Sequence, residues 1–162
     1  IITFNNYRML FYMNKYYSEI VYGGVDGLIT TFAIIAGSLG GDLSTNTIII
    51  LGLASILSDG FSMGISSFLA EKARLYNQNA YKVGIVTFLS FIIIGMFPLI
   101  PFFFKFNNPF IISSIVLFLF LFLLGYIREF KITGGMETLI VGGFAAFIAY
   151  YSAKAINEYI KN

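Results

Sequence analysis

Two stretches of this chain, Val83–Phe104 and Phe110–Ile127, contain no charged side chain at all. Each is close to the about 20 helical residues that cross the roughly 30 Å hydrocarbon core of a bilayer. Half-buried strands alternate polar with apolar residues and are far shorter, so a strand reading fails. In lipid only helices and closed barrels satisfy the backbone, and runs like these fit helices. Three further runs follow the same rule. Tyr22–Gly41 carries one charge, Asp26, and Ile48–Ala70 carries one, Asp59. Thr138–Ala153 carries none, is short, and lies between Glu137 and Lys154. The sequence therefore predicts an all-α membrane protein with five transmembrane helices. Residues 1–162 form a single domain, with 1–21 as an N-terminal segment ahead of the first span. Composition agrees: 58% of residues are hydrophobic and 11% charged, where soluble domains carry about 25% charged residues. Pro98 and Pro101 fall late in the third run. They predict a kink or an end there, because proline removes a helix hydrogen bond and clashes with the preceding turn.

The loops predict orientation. With the N-terminus in the cytosol, Arg8, Lys15, Lys72, Arg74, Lys82, Arg128 and Lys131 are cytosolic, and only Lys105, Lys154 and Lys161 are not. The positive-inside rule then places the N-terminus in the cytosol and the C-terminus on the opposite side. The first stretch lacks a clean apolar region followed by a small-residue cleavage site, so no signal peptide is evident.

The chain has no His and no Cys. That excludes a Ser-His-Asp triad, a thiol nucleophile, a His/Cys zinc site, a cysteine-ligated cluster and a disulfide. A net charge of +2 does not suggest a nucleic-acid partner. No resident cofactor is expected.

The residues that cost energy carry the chemistry. A charged side chain within a span costs at least about 2.5–3.5 kcal/mol on insertion scales, so it faces a partner, a cavity or an ion. Asp26 lies near the start of the first span and Asp59 near the middle of the second. Met63 follows Asp59 by four residues and shares its helix face. The first two helices run antiparallel, which brings Met63 to a depth comparable with Asp26. A carboxylate and a thioether together suit a divalent transition metal such as Fe²⁺ better than a hard ion. Each residue also has a structural reading. Asp26 beside Gly27 is a good N-cap, Asp59 beside Ser58 and Ser62 can be a satisfied structural acid, and Met63 can be packing. Gly23/Gly27, Gly37/Gly41 and Gly60/Gly64 have small-xxx-small spacing, which serves either a dimer or tight packing within one chain. One internal echo stands out. Gly23-Gly24-Val25-Asp26-Gly27-Leu28-Ile29 is matched by Gly134-Gly135-Met136-Glu137-Thr138-Leu139-Ile140.

Several of these runs resemble one family. Tyr22-Gly23-Gly24-Val25-Asp26-Gly27-Leu28-Ile29-Thr30-Thr31-Phe32-Ala33, with Ala36-Gly37, is similar to the first-helix signature of vacuolar iron transporters. Asp59-Gly60-Phe61-Ser62-Met63-Gly64 resembles the second helix. Pro98-Leu99-Ile100-Pro101 resembles the end of the third, and Gly135-Met136-Glu137-Thr138-Leu139-Ile140-Val141-Gly142-Gly143-Phe144-Ala145-Ala146 the last. The resemblance implies a homodimeric five-helix transporter that moves Fe²⁺, and often Mn²⁺, out of the cytosol in exchange for protons. It places Asp26 and Met63 on the ion path. Asp59, Glu71 and Glu137 complete the candidate metal ligands. The metal ion is substrate, and the membrane is that of a vacuole-like organelle or a bacterial inner membrane.

The chain also departs from the family. Well-studied members carry a glutamate-rich cytosolic insert after the second helix. Here Glu71–Lys82 is short, with one acid. Ser66-Ser67-Phe68 stands where the family has Gly-Glu-Tyr, and Asp59 is acidic where many members are not. Two rival functions follow. A non-transporting membrane scaffold or metal-sensing subunit fits the missing insert. An intramembrane aspartyl protease would use two membrane aspartates, but its Gly-x-Gly-Asp signature is absent, so the chain is not expected to be an enzyme.

Overall fold

A computed structural model describes the backbone of residues 2–74 and 79–161, and side chains from Tyr16 onward. Among the described residues there is no strand. The helices are α1 (Ile2–Gly40), α2 (Thr45–Ala73), α3 (Ala80–Gly95), α4 (Ile100–Phe103), α5 (Pro109–Glu129) and α6 (Ile132–Lys161). Five segments are long and apolar enough to cross a membrane: Tyr16–Gly40, Thr45–Ala73, Ala80–Phe103, Pro109–Glu129 and Ile132–Lys161. The protein is a multi-pass membrane protein.

The third of these segments is broken where its prolines stand. α3 stops at Gly95, a 3-10 turn covers Phe97–Leu99, and α4 completes the segment. Ser113 on α5 donates from Oγ to the Pro98 carbonyl at 2.7 Å, which gives that carbonyl a side-chain partner. The other boundaries have local causes. Ser44 caps α2, its Oγ accepting from the Thr47 backbone N–H at 3.2 Å. Asn108, at φ 64°, turns the chain into α5, and Pro109 opens that helix, where a missing N–H costs nothing.

α1 is the central helix and touches every other spanning segment. Half of its span is buried in the bundle, against 6% for α6. Its residues divide between two clusters. Leu28, Phe32 and Ala36 pack with Leu117, Leu121 and Leu124 of α5. Ile35 packs with Ile48 and Ile56 of α2 and with Leu99 and Phe102. Spacings of three and four residues put each set on one face.

Lipid tails are as apolar as leucine, so helix association here depends on close packing. Backbone meets backbone at several crossings. A Cβ on Gly27 would lie 2.5 Å from the Phe91 carbonyl oxygen, and Gly95 of α3 lies against the Gly27 backbone in return. A Cβ on Gly84 would lie 2.6 Å from the Gly64 oxygen, which joins α3 to α2. Gly23 and Gly60 also face α3, and Gly37 faces α6. Gly23/Gly27 and Gly60/Gly64 therefore close helices within one chain, whereas Gly41 meets only its own turn.

The turn between α1 and α2 is tied to the far end of α6. Asp42 Oδ2 accepts from Lys161 Nζ at 2.9 Å and from Asn157 Nδ2 at 3.0 Å. The Lys161 hydrogen bond, then its charge, and the Asn157 bond hold the Asp42 carboxyl below its ordinary value.

Two outcomes follow from this architecture. A Cβ on Gly134 would lie 2.6 Å from the Gly125 oxygen, whereas one on Gly143 would meet only a Phe118 ring atom at 3.9 Å. Gly134→Ala should therefore destabilise the bundle by about 1–3 kcal/mol, and Gly143→Ala, which meets no clash and favours the helix, should not destabilise it, in denaturant unfolding of the purified protein. Because the folded Asp42 carboxyl is depressed, its tie is complete above the unfolded value of about 3.9 and is lost as pH falls through the lower folded value. Spin labels on Leu43 and Tyr159 should keep one distance from pH ~7 down to ~5. In Asp42→Asn the distance should be longer at both.

Candidate functional site

Asp26 lies well inside α1, which runs unbroken from Ile2 to Gly40. The capping role open to it in the sequence therefore falls away: no helix begins there. It is half-buried and lines a cavity of about 460 Å³ between α1 and the end of α5. Val21, Val25 and Ile29 form the apolar wall, and Tyr17, Ser18, Tyr22 and Arg128 supply the other polar groups. Among the described residues no side chain donates a hydrogen bond to the Asp26 carboxylate.

The cavity is framed by fixed contacts. Tyr17 donates its hydroxyl to the Ile127 carbonyl at 2.8 Å, binding α1 to α5. Arg128 donates through Nη2 to Glu129 at 2.7 Å and to Glu137 of α6. Glu137 is exposed, and this ion pair brings it beside the cavity that Asp26 lines.

Asp59 and Met63 stand on α2, both half-buried and outside that cavity's wall. Asp59 accepts from Ser55 Oγ on one oxygen and from Ser58 Oγ at 3.3 Å on the other. One of its expected serine partners, Ser58, is present; the second is Ser55, one turn earlier, in place of Ser62. Asp59 and Asp26 thus stand on two helices, α2 and α1, that pack against each other.

Glu71 is buried at the end of α2 and accepts from Arg74 Nη1 at 3.1 Å. It lines a second, polar cavity of about 250 Å³ with Glu19, Tyr22, Ser66 and Ser67. Glu19 accepts from Thr87 Oγ1 at 2.7 Å. Tyr22 lines both cavities, with Glu71 and Glu19 in one and Asp26 in the other. Sequence reading missed Glu19, Tyr22 and Arg128. Glu19 had a signal: it precedes Asp26 by seven residues, two helical turns, and so shares its face. Placing the start of the span at Tyr22 concealed it. Among the described residues no three His, Cys, Asp or Glu side chains converge into a metal cage.

The family model described as "VIT family" matches residues 17–80 and, in a second match, 71–154. The chain belongs to the VIT family. The two matches meet where α2 gives way to α3, the place where a longer insert was expected to be missing. Among curated VIT-family relatives, a "Vacuolar iron transporter" of Toxoplasma gondii is 41% identical over 61 residues, 38% of this chain and 20% of the relative. One of Plasmodium falciparum is 34% identical over 55 residues, 34% of this chain and 20% of the relative. A "Vacuolar iron transporter 1" of Tulipa gesneriana is 23% identical over 215 aligned residues, covering 86% of this chain and 87% of the relative. An alignment of 215 positions exceeds the 162 residues of this chain, which leaves room for a long insertion in the tulip protein. The chain spans about a fifth of the length of the first relatives it matches. No solved structure matches it at a significant level.

Proposed function

We propose that this chain moves a divalent transition metal, Fe²⁺ and also Mn²⁺, out of the cytosol in exchange for protons. The observation that carries the reading is Asp26: a carboxylate inside a spanning helix, facing a cavity, with no side-chain donor among the described residues. An unbonded carboxylate in low dielectric is costly, and either a proton or a cation at the carboxylate offsets that cost. Alternate occupancy by the two is the chemical basis of exchange. Membership of the VIT family and relatives named vacuolar iron transporters support the choice of cargo. The metal is substrate, no resident cofactor takes part, and the chain is not an enzyme.

In this reading Met63 adds a soft sulfur to the path, and Asp59 adds a second acid. Glu71 and Glu137 act nearer the cytosolic face, where the N-terminus lies, with the C-terminus on the opposite side. In this reading the chain works as a homodimer. The face for the second copy is on α2. Ala54, Ser58, Ser62, Ser66 and Ala70 recur every four residues there and are all exposed, and small residues of this kind let helices approach closely.

The test is flux of Fe²⁺ and Mn²⁺ into vesicles, normalised to folded protein. Asp26→Asn should abolish flux of both ions and leave the helical content unchanged; undiminished flux removes Asp26 from the mechanism. Met63→Leu conserves volume and should cost less than about 1.5 kcal/mol of stability, yet lower Fe²⁺ flux more than Mn²⁺ flux. Metal binding without flux in the unaltered chain would favour the sensing subunit. The chain has no cysteine, so a Ser44→Cys variant reports orientation cleanly. It should be labelled only from the side opposite the cytosol.

A further inference from the structure

A groove of about 240 Å³ runs between α2 and α3, away from both cavities already described. Its floor is the backbone contact of Gly64 with Gly84. Its walls are aromatic: Phe61 and Phe68 from α2, Tyr81 and Phe88 from α3. The rim residues Phe61, Ile65, Tyr81 and Ile85 are all exposed. Such a slot on a spanning bundle has the chemistry of a fatty-acyl chain.

One end of the groove is cationic. Lys72 Nζ lies 5.6 Å from the Phe68 ring centroid, and Lys82 Nζ lies 5.8 Å from the Tyr81 centroid. Each ammonium therefore rests against a ring that forms the groove wall. Among the described residues neither lysine forms an ion pair with a carboxylate, and Glu71 is paired with Arg74. Aromatic rings and lysines side by side at a helix end mark the headgroup level of a bilayer.

We propose that this groove is a binding site for an anionic phospholipid of the surrounding bilayer. One acyl chain lies over Gly64 and Gly84, and the headgroup phosphate sits between Lys72 and Lys82. A zwitterionic lipid brings its own ammonium to the two lysines and gains little from them. A lipid with a net negative headgroup gains from both, and basic pockets at the ends of spanning helices select such lipids. The site does not rest on the metal-transport reading, but it requires that a second copy on the Ala54, Ser58 and Ser62 face of α2 leave the neighbouring Phe61 and Ile65 open to lipid.

The chain has no tryptophan, so Ile85→Trp places a lone tryptophan, excited apart from the tyrosines, on the rim, and Ile115→Trp places one on the exposed face of α5. Both are reconstituted as full-length protein in bilayers of phosphatidylcholine and phosphatidylglycerol, with bromine on the acyl chains of one lipid at a time. Brominated phosphatidylglycerol should quench Ile85→Trp with about fivefold or greater preference over brominated phosphatidylcholine. Ile115→Trp should show no preference. Adding Lys72→Gln and Lys82→Gln to Ile85→Trp should bring the preference close to one, with the circular dichroism spectrum unchanged. Equal quenching by both lipids at Ile85→Trp overturns the proposal, as does a preference that survives loss of both lysines. If neither lipid quenches Ile85→Trp while both quench Ile115→Trp, protein covers the groove and the proposal is wrong.

Discussion

Hydrocarbon offers a peptide group no hydrogen-bond partner, and the rest of this molecule depends on that deficit. Every residue within the bilayer must satisfy its N–H and C=O inside the protein, so the chain is helix almost wherever it is apolar. Where proline breaks the third segment, the bonds are made good locally: a 3-10 turn takes over, and a serine from α5 bonds the Pro98 carbonyl. The same solvent removes the usual reason for helices to associate. Contact must come from shape, and α1, α2 and α3 meet through glycine backbones, with side chains filling the space on either side.

Charge is handled by the same economy of partners. Glu71 is bonded by Arg74, Asp59 by Ser55 and Ser58, and Glu129 and Glu137 share Arg128. Against that pattern Asp26 stands out, because it faces open volume. Its two neighbours in function by sequence, Asp59 and Met63, belong to a helix that contributes nothing to that cavity's wall.

The five segments, the break at the prolines and the presence of one acid, Asp26, inside the first span were legible in the sequence because each is a property of one helix. Length, charge and proline position are local quantities. What escaped were relations between helices. The spacing of Gly23/Gly27 and Gly60/Gly64 showed that something approaches closely, but only the order of helices around the bundle shows that α3 fills both faces. Arg128 read as a loop cation, and its link to Glu137 depends on the angle between α5 and α6. Even Asp59's serines divided this way. The adjacent one was found, while the partner four residues back was passed over for the one three residues ahead. Helical side chains lean towards the N-terminus, and that direction settles the choice.

The glycine crossings bear on how such a chain can change over generations. A leucine facing lipid can become isoleucine, valine or phenylalanine with almost no consequence, because its neighbours are fluid. At Gly27, Gly64, Gly84 and Gly95 the neighbour is another peptide bond, and even one added methyl group must push a whole helix aside. Variation in this protein is thereby channelled to its outer surface, and its interior can be altered only by moving two helices together.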